Sequence, residues 1–167
     1  TFNSFILRNG GSDWQHVPFR DALLQSLIKD STDVDIQYFQ PVRLFINGEY
    51  WGLYFIRDRF DADYLYNHYG AKEIDMASEV YNTEYGNIDD YLRLRDFLRK
   101  ETLNTKANYE FVKSKLDLEN FADYSIAQIY YMNVDQPGKN VKIWRTKEAF
   151  ESEYKQTDGR WRYMLFD

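Results

Sequence analysis

The sequence has no cysteine. Disulfides, zinc-thiolate centres, iron–sulfur clusters and thiol nucleophiles are therefore excluded from its chemistry. His16 and His68 are the only imidazoles. Neither has a carboxylate at metal-ligand spacing, and both read as surface or loop residues without a functional role. No run of about 18 apolar residues is present to cross a membrane as a helix, and the N-terminal residues lack the basic region and apolar core of a signal peptide. Positive charge is scarce: 21 Lys and Arg face 27 Asp and Glu, a net charge of −6. That balance argues against nucleic acid as a partner. Only three prolines occur, and there is no Pro-rich linker, low-complexity tract or internal repeat. The first residue is Thr1 rather than Met. The chain is read as an excised or processed segment, whose missing targeting signals leave the parent's destination open.

What the sequence does have is apolar and aromatic mass. Its 167 residues, 44% hydrophobic and 19% aromatic, suit one domain that buries about 70% of its unfolded surface. The run FNSFIL at 2–7 predicts a strand, broken by Arg8-Asn9-Gly10-Gly11-Ser12. Phe19, Ala22, Leu23, Leu24, Leu27 and Ile28 recur at helical spacing behind Pro18. Residues 42–46 and 51–56 read as the arms of a hairpin whose turn is Asn47-Gly48, a pair that tolerates positive φ. Gly52 reads as a position where a bulkier side chain would obstruct packing. A short helix is expected over 61–69, capped by Asp61 and stopped by Gly70, followed by a polar, Tyr-rich stretch to Asn87. Further helices are expected over 88–100, 109–115 and 117–132, then a loop over 133–140 and strands over 141–145 and 160–166. The fold class is α+β.

Within this order Asp135 and Asn140 lie five residues apart in one loop after the longest helix, and Asp167 follows the second of the next two strands. In protein kinases an Asp of the catalytic loop receives the attacking hydroxyl, an Asn five positions on holds a metal, and an Asp after the next hairpin holds it too. Phosphoryl transfer asks for oxygen ligands, cations and positioning more than covalent chemistry, so this residue set suits it. Asp and Asn also cap backbone groups in ordinary loops, so the spacing alone leaves a structural role open. Arg8, at the end of the first strand, and Arg20, at a helix start, are candidates for phosphate contacts, although Arg20 can equally form a surface ion pair with the adjacent Asp21. The many aromatic residues, Tyr50, Trp51 and Tyr54 among them, are core material or, alternatively, a sugar-stacking surface.

The segments LRNGGSDW (7–14), FRDALLQSL (19–27), VRLFINGEYWGLYFIRDRFDADYL (42–65), NVDQPGKNVKIWR (133–145) and GRWRYMLFD (159–167) resemble the CotH (spore-coat protein H) kinase family. NGEYWGLY is the most characteristic run, and D-x-P-G-x-N-x-K-x-W-R at 135–145 is typical of a branch found in secreted bacterial proteins. The resemblance implies an atypical protein-kinase-like fold, with residues 1–60 forming a small-lobe part and 61–167 a helical large-lobe part. It implies ATP and Mg²⁺ or Mn²⁺ as cofactors and the Ser or Thr hydroxyls of a protein as acceptor. By the same resemblance Asp135 is the catalytic Asp, Asn140 and Asp167 are metal ligands, and the setting is a bacterial envelope or secreted one. Arg8, Arg20 and Asp58 are expected to contact the nucleotide; Asp58 stands where relatives usually carry Glu. The strands of the phosphate-covering loop would precede Thr1 and a second terminal Asp would follow Asp167, so the segment by itself is expected to be inactive. The alternative is a non-catalytic interaction or carbohydrate-binding module that keeps the fold and has lost the chemistry.

Overall fold

A computed structural model describes residues 3–79 and 81–167. It is a mixed α and β architecture, as expected, built on two sheets. The first sheet is three-stranded and antiparallel in the order β1-β4-β3, with β1 at Ile6–Arg8, β3 at Phe39–Ile46 and β4 at Glu49–Arg57. The β3–β4 hairpin turns at Asn47 and Gly48, whose φ values of 53° and 86° suit the mirror-image turns that match strand twist. The register shifts between Leu44 and Phe45, and Gly52 opposite Leu44 has φ 142°. A Cβ there would lie 3.6 Å from the Tyr54 ring, an ordinary contact. Gly52 is thus required by backbone conformation and not, as the sequence reading has it, by lack of space.

The first strand differs from its expected span of 2–7. Phe2 lies outside the described residues, and the strand runs from Ile6 through Arg8, because pairing with Phe55 to Arg57 of β4 sets its limits rather than the apolar run. Helix α1 (Arg20–Ile28) follows, then β2 (Asp35–Ile36). Helix α2 (Ala62–Tyr69) starts where the Tyr64 N–H donates to the Asp61 carboxylate at 3.0 Å and stops at Gly70, φ 70°.

The stretch expected to be an irregular polar segment instead forms β5 (Ile74–Ser78) and β6 (Asn82–Tyr85). Ile74, Asp75, Met76 and Ala77 are all buried, so the segment shows the continuous burial of a strand covered on both faces and no alternation. Helices α3 (Asp89–Lys100), α4 (Lys106–Lys115) and α5 (Leu118–Tyr130) come next. Helix α4 begins before its expected start because Thr105 accepts the Asn108 N–H at 3.2 Å. Strands β7 (Lys142–Thr146) and β8 (Arg162–Leu165) complete a five-stranded sheet in the order β2-β8-β7-β5-β6, with β2 parallel to β8.

This second sheet holds the core. Ile143 and Trp144 are both 0% exposed, and as neighbours on β7 they point to opposite faces. Ile143 joins Ala77, Tyr91, Leu94, Val112 and Trp161 on the face covered by α3 and α4. Trp144 joins Leu65, Met76 and Met164 on the face covered by α2. A third cluster, Val34, Ile36, Tyr124, Ala127 and Leu165, ties β2 and α5 to β8. The Trp144 indole N–H donates at 2.8 Å to Asp35, which also accepts from the hydroxyls of Tyr69 at 2.6 Å and Tyr64 at 3.0 Å. Burial raises the Asp35 carboxyl above the ordinary carboxylate range against the pull of these donors.

Two stability predictions follow from this core. Ile143→Ala removes a side chain packed in the α3/α4 cluster and is expected to cost about 2–5 kcal/mol in urea unfolding. For Asp35, a carboxyl whose pKa is raised by folding stabilises most when protonated; its contribution falls as pH rises from 3.8 through the folded value. The stability of the wild type relative to Asp35→Asn should therefore decline with rising pH in that window, by at most about 1.4 kcal/mol per pH unit. A difference that stays flat across urea titrations from pH 4 upward would contradict this.

Candidate functional site

The antiparallel β7–β8 pair sets the geometry. Lys142 lies opposite Met164, so Asn140, just before β7, and Asp167, just after β8, fall at the same end of the sheet. From the other side, β1 delivers Arg8, whose guanidinium forms an ion pair with the Asp167 carboxylate. A cleft of about 480 Å³ opens there. Arg8, Arg20, Asp135, Asn140 and Asp167 all line it, so five of the six residues expected at the site share one cavity.

The 133–140 loop is braced by its own side chains. Asn133 accepts the Asp135 N–H at 3.2 Å through its amide oxygen, while its NH₂ donates to Gln128 of α5 at 2.9 Å. The N–H groups of Gly138 and Lys139 donate to the Asp135 carbonyl at 2.9 and 2.8 Å. Gln136 donates its amide to the carbonyls of Lys139 at 2.7 Å and Asn140 at 3.2 Å. These contacts tie down the backbone on both sides of Asp135 and leave its side chain exposed. Asn140, half-buried, takes a left-handed conformation with φ 57°, which Asn tolerates better than most residues.

Charges of both signs face the cleft. Arg20 forms a surface ion pair with Asp13 at 3.0 Å, not with the adjacent Asp21, and its side chain is about half exposed. Asp21 of α1 pairs with the buried Arg57 and accepts the Gln25 amide at 2.7 Å. Asp58 is not part of this cavity. It lines a separate one with Asp61, Tyr64 and His68, and its carboxylate accepts the Tyr38 N–H at 3.2 Å. Burial raises the Asp58 carboxyl above its ordinary range. The expectation of a nucleotide contact at Asp58 thus gains no support from its position.

The CotH kinase protein family model matches residues 1–167, the whole length. The chain belongs to the CotH kinase family. No curated protein sequence matches it. The stretch at 135–145 divides here into two jobs. Asp135 and Asn140 face the cleft, whereas Lys142, Trp144 and Arg145 fasten β7: Lys142 to Glu84 at 2.8 Å, Trp144 to Asp35, and Arg145 to Asp75 at 2.9 Å and Asp90 at 2.7 Å.

Among the described residues no three His, Asp or Glu side chains gather as a complete metal cage. Asp135, Asn140 and Asp167 are among the side chains with oxygen donors that line the cleft, with Arg8 and Arg20 beside them. That set fits Mg²⁺ or Mn²⁺, since Mg²⁺ binds through one or two protein oxygens plus water and substrate phosphates. Asp13, Asp21, Gln128 and Asn133 also line the cleft and had no marker in the sequence, because their placement depends on contacts between distant elements. Two observations bear on the partners: no helix among the described residues is long and apolar enough to cross a membrane, and the α5 wall of the cleft continues into an apolar groove containing Ile129, Val134 and Pro137.

The Arg8–Asp167 pair is partly exposed on both sides. Arg8→Met should therefore change unfolding free energy by no more than about 1 kcal/mol, as solvent-screened pairs do. A loss of several kcal/mol in chemical denaturation would make Arg8 a structural residue instead of a cleft residue.

Proposed function

We propose that the protein is an atypical kinase that transfers the γ-phosphoryl group of ATP to a Ser or Thr hydroxyl of a protein substrate, in the secreted or envelope setting that the resemblance implies. The observation that carries this reading is the meeting of Asp135, Asn140, Asp167, Arg8 and Arg20 around one cleft. In this reading the three-stranded sheet of β1, β4 and β3 with α1, about residues 1–60, acts as the small lobe and residues 61–167 as the large lobe, with β2 crossing over to pair with β8.

Asp135 receives the proton of the acceptor hydroxyl and aims its oxygen, a role suited to an exposed carboxylate on a braced backbone. Asn140 and Asp167 hold the divalent cation. Arg8 and Arg20 would neutralise phosphate charge, and Arg8, partly exposed in its pair with Asp167, could turn to phosphate and leave that carboxylate free to hold the cation. When bound, the metal ion neutralises the charge that develops on the transferring and leaving phosphates. The apolar groove beside Val134 supports a protein as acceptor, since it offers flanking side chains a surface next to Asp135.

Calorimetry on the full-length protein, with a radiolabel transfer assay, tests this. ATP binding should tighten with Mg²⁺ or Mn²⁺, and Asn140→Ala or Asp167→Ala should abolish that metal-dependent gain. Asp135→Ala should bind ATP within a few-fold of wild type yet transfer phosphate about 10²–10⁴-fold more slowly.

A second reading rests on the β3–β4 hairpin, where Phe45, Tyr50 and Trp51 are all more than half exposed. As a non-catalytic interaction or carbohydrate-binding module, the protein would stack sugars on these rings. Full-length protein that binds no nucleotide but binds glycans, with Trp51→Ala abolishing that binding, would favour it over the kinase.

A further inference from the structure

We infer that Glu79 is a positioning residue for Asn140. Most of the bracing of the 133–140 loop comes from the loop itself or the adjoining end of α5. The Asn140 N–H differs: it donates at 3.0 Å to the Glu79 carboxylate, from the turn after β5, 61 residues earlier in the chain. The same turn holds the next residue, because the Glu79 N–H donates to the Val141 carbonyl at 2.8 Å. Glu79 therefore grips residues 140 and 141 at two points, one through its side chain and one through its backbone.

The side-chain grip acts on a backbone that needs it. Asn140 is in the left-handed region at φ 57°, and Glu79 itself has φ 50°. A carboxylate accepting a backbone N–H makes a charge-assisted bond, stronger than one between neutral groups. It holds Asn140 in a conformation that L-residues otherwise leave, and the conformation fixes the direction of the Asn140 side chain. The backbone grip and the β5–β7 pairing, which reaches Ser78 opposite Lys142, do not involve the carboxylate. Removing the carboxylate should loosen Asn140 without unpairing the sheet. What Asn140 holds rests on the phosphotransfer reading; the contact with Glu79 does not.

The experiment reads both separately. In metal-free full-length protein, the Asn140 amide should show the downfield proton shift and slow hydrogen exchange of a carboxylate-bonded N–H. Glu79→Ala should move it upfield and speed its exchange at least ten-fold, with Glu79→Gln in between. By calorimetry, the Mg²⁺ concentration that half-saturates metal-dependent ATP binding should rise about 10–100-fold in Glu79→Ala, the range typical for residues that orient metal ligands. ATP affinity without metal should stay unchanged. An Asn140 amide that is the same in both variants, or an unchanged Mg²⁺ requirement, overturns the inference. If Glu79→Ala does not fold, Glu79→Gln decides by the same two readouts. Wild-type protein whose ATP binding ignores metal overturns the phosphotransfer reading instead, and the amide measurements then still judge the contact.

Discussion

Two adjacent side chains on β7, Ile143 and Trp144, are fully buried on opposite faces of the sheet, and this locks the strand in place. A slip of one residue would exchange the faces of every side chain on the strand, pulling Trp144 from Asp35 and Arg145 from Asp75. With β7 fixed and β8 antiparallel to it, the residues flanking the pair, Asn140 and Asp167, have little freedom but to meet at one end of the sheet. The polar contacts of Lys142, Trp144 and Arg145 thus belong to the site's architecture although none of these residues lines the cleft. Rigid elements hold catalytic groups more precisely than loops do, and here a short loop is suspended between α5 and β7.

Charge balance in the cleft is the second constraint. Acidic groups that line one cleft repel one another, and here three of them are offset: Asp167 by Arg8, Asp13 by Arg20 and Asp21 by Arg57. The buried Arg57 is the most committed of these cations, because taking its charge from water without Asp21 would cost several kcal/mol. Arg8 and Arg20 are more exposed and exchange partners at little cost. A protein with a net charge of −6 thus lines this cleft with two arginines among its carboxylates.

Elements with strong local signals were readable from the sequence. The Asn47-Gly48 hairpin and the Asp61-to-Gly70 helix stand where turn and capping chemistry place them. Strand β5 was not, because burial on both faces erases alternation, and β6 was not, because its four residues are all exposed and leave no apolar pattern to read. The site divides the same way. Asp135 and Asn140 were marked by their spacing and by family resemblance, and Asp167 by its place after the last strand. Glu79, Gln128 and Asn133 carried no such mark, since what they do depends on neighbours brought close only by folding. Asp58 is the reverse case: its place in the family pattern suggested a nucleotide contact, and the chain leads it into a different cavity from the other five residues.

The central claim is that Asn140 and Asp167 hold the cation that accompanies ATP. Diffraction from crystals of the full-length protein grown with Mn²⁺ and a non-hydrolysable ATP analogue tests it most directly, through the anomalous signal of the metal. One strong anomalous peak is expected, bonded to oxygens of Asn140, Asp167 and the analogue's phosphates, with the Asp135 carboxylate facing the terminal phosphate. Analogue bound elsewhere, or a metal ligated without Asn140 and Asp167, would contradict it.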